Sequence, residues 1–427
     1  MKTVALVATH FVPSNLASVH RSRLFAQHLA EFGWRPLIVT TAPEFYDEPA
    51  DPSLADLIDP ALPIVRTRAL RNRGRRWVGD LGVRAFPFHL SALKALARSG
   101  QIDFCHITIP SNFSAPLGRL LRNATGIKYG IDYIDPWVHV WPGVEQRFSR
   151  HWWSHQLSLK LEPWAVKDAA LITGVASGYF EGVLQRNPHL RAQAITAAMP
   201  YGAAEIDFAL ARQQGFSSGV FNPHDGRLHV VYAGALMPKS VATCEVLLRA
   251  FAALKAERDP QAMRVCMHFI GTGHRLANGV AAQVAPMASA LGLSDCVIEH
   301  PERMSYLGVL RHLINAAGVM ILGSTEAHYT PSKAYQAAQS ERPVLAFLHP
   351  QALALDFLRG ALGERLALIP TAAVPQVSEV RQALGHFFAQ VSSASRAVDP
   401  TIFEPVSARA VAKSLALALD QAWAGKS

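Results

Sequence analysis

Two α/β domains, each built on a mainly parallel sheet, are the fold class this sequence predicts. Three observations carry that reading. Short apolar runs rich in β-branched residues alternate with helical patterns of about a dozen residues, as strands buried on both faces between covering helices require. The alternation weakens once, over residues 208–227, where Gly, Ser and polar side chains dominate, and then restarts. A chain of 427 residues, 50% of them hydrophobic, can also fill two cores of ordinary size.

Taken in order, Val4–Thr9 reads as the first strand. Val19, Leu24, Phe25, Leu29 and Phe32 then recur at roughly helical spacing until Gly33 stops the pattern. Further strands are expected at Pro36–Thr41, Ile102–Thr108, Gly126–Ile134 and Ala169–Gly174, with a helix from about Ser177. In the second half, strands are expected at Leu228–Gly234, Met263–Gly271, Gly318–Gly323 and Arg342–Leu348. Helices are expected at Ser240–Leu254, His274–Leu291, Ser305–Ala316 and Pro331–Ser340. Residues 1–207 form the first domain, 208–227 a linker and 228–398 the second domain. Residues 399–427 end in a strong helical pattern that either closes the chain plainly or crosses back to brace the first domain.

Charge and cysteine usage narrow the class. Lys+Arg 41 against Asp+Glu 32 gives a formal +9, an excess suited to phosphates, nucleotides or acidic membrane surfaces. Four widely spaced cysteines in or beside apolar segments read as buried thiols in a reducing compartment; neither a disulfide framework nor a zinc spacing is present, and no metal is expected. The amino terminus has no secretion-signal pattern and no apolar run reaches about 18–20 residues, so a cytoplasmic protein is expected, with peripheral contact at the inner face of the membrane left open. Arg66–Trp77 packs six arginines ahead of Trp77. It reads either as a patch for an anionic membrane or as a basic loop before a packing helix. The tryptophans of residues 137–164 either line a ligand cleft or pack beneath the first domain. Nucleic acid is not expected as a partner, because the arginines cluster and no zinc finger or RNA-binding motif is present.

Ligands of open parallel sheets bind beyond the carboxyl ends of the strands, so residues just after the apolar runs are the candidates. Thr330 is placed to cap a helix with Pro331 in its first turn, which presents Ser332 and Lys333 beside free backbone donors. Helix amides, a hydroxyl and an amine together suit a phosphate or diphosphate; an ordinary capped helix with a solvent-facing lysine is the bland equivalent. Gly271 and Gly273 follow a strand directly, allowing close approach and exposed amides. Gly234 turns another strand towards Lys239. In the first domain, His10 follows the first strand and Arg21 lies in the first helix. Asp132 and Asp135 flank the end of a strand, with Trp137 beyond as an aromatic platform. Asp135 reads either as a base or hydroxyl grip, or as a turn-forming Asp-Pro. Glu205 and Asp207 need do no more than solubilise a linker.

With those motifs in place, the sequence resembles a GT-B glycosyltransferase, and is most similar to the glycosyltransferase family 4 type of bacterial sugar transferases. Residues 8–41 resemble that family's first strand, acceptor-side loop and arginine-bearing helix; residues 131–137 its Asp-x-x-Asp-Pro-Trp segment; and residues 199–208 its inter-domain phrase, with Tyr201 for the usual asparagine. The resemblance implies two Rossmann-like domains facing each other across a cleft. It implies transfer of a sugar from a nucleotide-sugar, UDP- or GDP-linked, to a hydroxyl of a glycan, lipid-linked or small-molecule acceptor, with retention and without a required cofactor. It makes Lys239 and Lys333 the charge-bearing candidates, and puts Glu326, His328 and Gln336 around the nucleotide. Asn15, Arg21, Asp132 and Trp137 fall on the acceptor side, with Asp135 and then His10 nearest the reacting centre. The sequence departs from the family at Ala235, where an arginine is usual, and at His328 and Gln336, where the paired glutamates stand. Those departures keep open an inactive nucleotide- or sugar-binding partner, and a nucleotide-sugar epimerase shares the fold.

Overall fold

The computed structural model describes residues 1–71, 79–138, 144–276, 279–325, 333–392 and 397–425. They divide into two compact units, Met1–Gly202 with Pro405–Ser427, and Ala203–Glu404.

The first unit holds a seven-stranded sheet of order β3-β2-β1-β4-β5-β6-β7. Its strands are β1 (Lys2–Val7), β2 (Trp34–Thr41), β3 (Ile64–Thr67), β4 (Phe104–Ile109), β5 (Lys128–Tyr133), β6 (Leu171–Gly174) and β7 (Ile195–Ala198), every pairing parallel. Every crossover but β2–β3, which holds only 3-10 turns, brings a helix: α1 (Ala17–His28), α2 (Leu81–Arg98), α3 (Pro116–Thr125), α4 (Arg150–Val166), α5 (Ser177–Arg186) and the single turn α6 (Leu190–Gln193). Central strands are buried from end to end, which is why they read as unbroken apolar runs.

The second unit has a six-stranded parallel sheet of order β12-β9-β8-β13-β14-β15, plus a short hairpin, β10 (His274–Leu276) with β11 (Gly279–Ala281). Its sheet strands are β8 (Leu228–Ala233), β9 (Val265–Ile270), β12 (Val297–His300), β13 (Gly318–Leu322), β14 (Val344–Leu348) and β15 (Leu366–Pro370). The helices are α7 (Glu205–Gln213), α8 (Val241–Ala256), α9 (Val284–Ala290), α10 (Tyr306–Asn315), α11 (Lys333–Gln339), α12 (Ala354–Leu362) and α13 (Val377–Val391). The last helix, α14 (Ala408–Ala424), belongs to the first unit. Val411, Leu415 and Leu419 recur every fourth residue on its buried face, which packs on α1. Asp420 accepts hydrogen bonds from the Lys2 ammonium and, at 3.2 Å, from Trp34 Nε1. Lys128 donates to the Ala422 and Trp423 carbonyls at 3.3 and 3.0 Å, satisfying groups that a helix end leaves without an internal partner.

Two expectations change. The first unit ends at Gly202, not Asp207, and residues 208–227 lie within the second unit. Asp207, read as linker solubility, is fully buried and accepts a 2.8 Å hydrogen bond from the Tyr306 hydroxyl, which ties α7 to α10. The helix expected from His274 is shorter. Its first part is the β10–β11 hairpin, and α9 begins at Val284 where Glu299 accepts from the amides of Gln283, Val284 and Ala285 at 2.7–2.9 Å. A carboxylate from β12 therefore fills that helix N-terminus, stabilising it as a side-chain cap does. The four cysteines are all buried thiols.

Candidate functional site

Strand order locates the sites. In each sheet the first strand has crossovers leaving to both sides: β8 lies between β9 and β13, and β1 between β2 and β4. The loops that leave such a pair diverge and open a crevice at their carboxyl ends.

In the second unit that place is bounded by Gly234 after β8, Gly271 after β9 and Lys333 at the start of α11. Gly234 and Gly271 have φ of 149° and 74°, where a side chain is strained. A Cβ on Gly234 would meet the Tyr232 hydroxyl at 3.7 Å and Lys333 Cε at 3.8 Å. One on Gly271 would come no nearer than 4.0 Å to Arg303. Lys333 and Arg303 thus stand by successive glycine turns on adjacent strands. Burial, aided by the Arg303 charge, pushes the Lys333 ammonium down to about 8. Among the described residues no carboxylate pairs with Lys333. Burial and the neighbouring Arg303 charge both disfavour the charged form of Lys333, the kind of perturbation that marks a candidate site.

The glycines act otherwise than expected. Their amides are not free for an anion, because Gly234 N donates to the Ile270 carbonyl at 2.9 Å, Gly271 N to His300 at 2.8 Å and Gly273 N to Pro301 at 3.0 Å. Those bonds join the ends of β8, β9 and β12. Gly273 has no room to line a pocket either, since a Cβ there would lie 2.2 Å from Val280 Cγ1 and 2.6 Å from the Pro301 carbonyl oxygen. What remains for a ligand is the clearance at Gly234 and Gly271 and the cations beside it.

Lys239 lies in a single exposed 3-10 turn, Pro238–Ser240. Its neighbour Ser240 is buried and donates to the Gly323 carbonyl at 2.9 Å, bracing the β8 loop against the end of β13. Ala235 is exposed in that loop. Gln336 is half-buried one turn beyond Lys333. Its Nε2 donates to the Tyr306 hydroxyl at 3.3 Å, continuing the chain to Asp207, while its buried Oε1 has no partner among the described residues. Glu326, His328 and Ser332, with Thr330 and Pro331, lie outside the described residues. Arg303 went unremarked in the sequence because β12 is short and half-polar, and it follows that strand.

In the first unit the polar groups sort into two sets. Arg21 and Asp132, expected on the acceptor side, are 1% and 0% exposed and form a buried two-pronged pair. Arg21 Nε and Nη2 donate to the Asp132 oxygens at 2.5 and 2.8 Å, and Nη1 to the Met199 and Pro200 carbonyls at 2.9 and 3.1 Å. Thr173 donates to Asp132 at 2.6 Å and lies 3.1 Å from His106 Nε2. Burial would raise the Asp132 carboxyl, but the Arg21 charge and hydrogen bonds outweigh it and hold the group below its ordinary value. This network fixes α1, β5, β6 and the chain leaving β7; it offers nothing to an acceptor. Trp137 is likewise no platform: it is 3% exposed and meets Phe113 edge-on, with ring centres 6.5 Å apart.

The second set faces the carboxyl end. His10 follows β1, with Nε2 3.6 Å from Glu48 Oε2 and its ring tilted on Tyr46. Glu48 also accepts from Ser14 Oγ at 2.5 Å. Burial lowers the His10 pKa against the pull of Glu48, Asp80 and Asp47. Asn15 donates to Asp51 at 3.1 Å and its oxygen lies 2.9 Å from His20 Nε2, which makes it part of the loop's frame. Asp135 is exposed just beyond β5. Arg66, within β3, donates to the Val12 carbonyl at 3.0 Å, and Arg68 and Arg71 are exposed; residues 72–78 of the basic stretch lie outside the described residues.

One group of metal-type ligands converges in the second unit: the donor atoms of His229, Cys266 and His268 lie within 4.8 Å of one another. The two rings already share a 2.9 Å hydrogen bond, and His229 Nε2 lies 3.0 Å from Asp225. Burial first, then the neighbouring histidines, push His268 down to about 3, so it sits neutral in the core, hydrogen-bonded to His229.

No family model matches the chain, and no curated protein matches it. Solved structures do. Sucrose-phosphate synthase from Thermosynechococcus elongatus aligns over 98% of this chain and 94% of its own, with a TM-score of 0.59 at 17% identity. Anabaena HepE, solved in complex with UDP, aligns over 98% and 100%, with 0.61 at 14%. The N-terminal domain of Candida albicans trehalose-6-phosphate phosphatase aligns over 99% and 97%, with 0.60 at 12%. At such identities the likeness establishes the fold alone, and that fold is GT-B-like, a pair of Rossmann-like units.

Proposed function

We propose that the protein is a nucleotide-sugar-dependent glycosyltransferase of the glycosyltransferase 4 type, with the donor held by the second unit and the acceptor hydroxyl received by the first. The observation that carries this reading is the Lys333–Arg303 pair, two cations beside open glycine turns at the topological switch point. A nucleoside diphosphate supplies an anion for the Lys333 ammonium, with which no carboxylate among the described residues pairs. As the sugar leaves, negative charge grows on the diphosphate, and cations fixed there stabilise the transition state more than the ground state. The unpaired Gln336 Oε1 accepts a hydroxyl of the nucleotide's sugar ring, a neutral grip where the family has a charged one. In the first unit His10, kept neutral by burial, is the proton acceptor for the incoming hydroxyl; Glu48 steadies the imidazolium that results. Complexes such as HepE with UDP support a nucleotide donor for this fold.

Calorimetric titration with UDP, GDP, ADP, TDP and CMP, with and without magnesium, tests the donor half. Saturable binding of one diphosphate, lost in Lys333→Ala, is expected. Silence across the panel would transfer the reading to an inactive partner protein.

A further inference from the structure

Helix α4 presents an outer face that the described residues leave uncovered. Trp153 is 56% exposed, Leu157 46% and Trp164 38%; with Lys160 they follow a spacing of four, three and four residues, a single stripe along the helix. Leu159 is exposed farther round the helix, and Phe148, 64% exposed just before it, sets its ring tilted against those of Trp152 and Trp153 with centres 5.4 and 6.2 Å away. Soluble surfaces do not ordinarily gather large aromatics in this way.

The charges on the exposed face of α4 itself are basic, with Glu145 exposed on the segment before the helix and Asp168, just after it, paired with Arg119. Arg147, Lys160 and Lys167 are exposed beside the stripe, whereas Glu162, the helix's one acid, is fully buried against Arg186 at 2.7 and 2.9 Å. The opposite side of the helix is anchored: Ser158, Glu162, Ala165 and Val166 are buried, and the Tyr129 hydroxyl donates to the Ala165 carbonyl at 2.7 Å, while at the end of the stripe Arg119 of α3 lies over the Trp164 indole at 4.7 Å. The stripe is therefore held outward on a packed helix. Tryptophans, leucines and snorkelling lysines on one face of a helix with no exposed carboxylate match the chemistry of a bilayer surface, where indoles settle at the headgroup level and lysines meet lipid phosphates. A second copy of this chain fits poorly, since a two-fold pairing would oppose cation to cation.

We propose that the exposed face of α4 docks on an anionic lipid bilayer. It lies flat at the interface, and no helix among the described residues is long and apolar enough to cross a membrane.

The test is sedimentation of the full chain with vesicles of phosphatidylglycerol mixed into phosphatidylcholine, against vesicles of phosphatidylcholine alone, at low and high salt. The protein is expected to sediment with the anionic vesicles and to be released by salt. Trp153→Ser with Leu157→Ser should lower partition by about tenfold or more, and Lys160→Glu by roughly fivefold or more, with thermal midpoints unchanged. Equal partition of wild type and variants, equal binding to neutral vesicles, or no sedimentation at all overturns the proposal. So does a dimer in solution that the same variants dissociate, which would assign the face to self-association. Should the double variant fail to fold, Lys160→Glu and the salt series decide alone.

Discussion

The two units place an arginine or lysine near the carboxyl ends of equivalent first strands, and the outcomes are opposite. In the first unit Arg21 meets Asp132 in a saturated, buried pair with two carbonyls and a threonine completing the shell. In the second, Lys333 meets the charge of Arg303, and burial depresses its pKa. A buried cation matched by a carboxylate holds structure together, whereas one whose charge is disfavoured by burial and by a like neighbour is the candidate for an arriving anion. Cation and position look alike in the sequence; the partner across the fold separates them.

That contrast can be broken at either end. The largest effect is expected from Asp132→Ala, which leaves the Arg21 guanidinium buried without its counter-charge. Urea unfolding should show a loss of about 3–5 kcal/mol, with diphosphate affinity in the other unit retained. A loss below about 1 kcal/mol would deny the pair its structural role.

Next comes Lys333→Ala. Removing a charged donor from a diphosphate should cost about 1.5–3 kcal/mol of binding, roughly 10- to 100-fold in affinity, and leave the melting temperature unlowered or raised, because the fold disfavours the ammonium. A collapsed melting temperature with intact affinity would make Lys333 a structural residue like Arg21.

The pH dependence is a finer probe. Lys333 titrates near 8, so in the free protein the ammonium is lost as pH rises through that value. Diphosphate affinity should fall over the same range, by up to about tenfold per unit above it. Stability moves the other way. Between 8 and the lysine's ordinary range the unfolded chain binds more protons than the folded one, so this group's contribution rises with pH. In Lys333→Ala both slopes should disappear.

Smallest is Gly271→Ala, where the left-handed φ of 74° costs about 1–2 kcal/mol of stability but no clash blocks the residue. Gly273→Ala, with a carbonyl 2.6 Å from the new carbon, should destabilise more and serves as the control for packing.

How much of this was legible in the sequence follows from where each element lies in its sheet. Nine strands were expected, and all nine are interior: β1, β2, β4, β5 and β6 in one sheet, β8, β9, β13 and β14 in the other. The four sheet strands that were not are the four edges, β3, β7, β12 and β15. Their burial alternates or fails, so Ile64–Thr67 and Val297–His300 carry arginine, threonine, glutamate or histidine where an inner strand carries valine. Helices with continuous period were also readable, while the β10–β11 hairpin sits in a stretch whose alanines and valines fit a helix equally well.

By itself, then, the sequence determined the two α/β units, the interior strands and the turns that follow them, because burial on both faces writes an unbroken apolar run into the chain. Only the tertiary structure decided which polar residues are free to act. Asp132 is closed by Arg21, Trp137 by Phe113 and the N-terminus of α9 by Glu299. Arg303 and Lys333 are brought together from separate strand ends. Hydrogen-bond saturation and charge pairing depend on residues distant along the chain, and no local pattern records them.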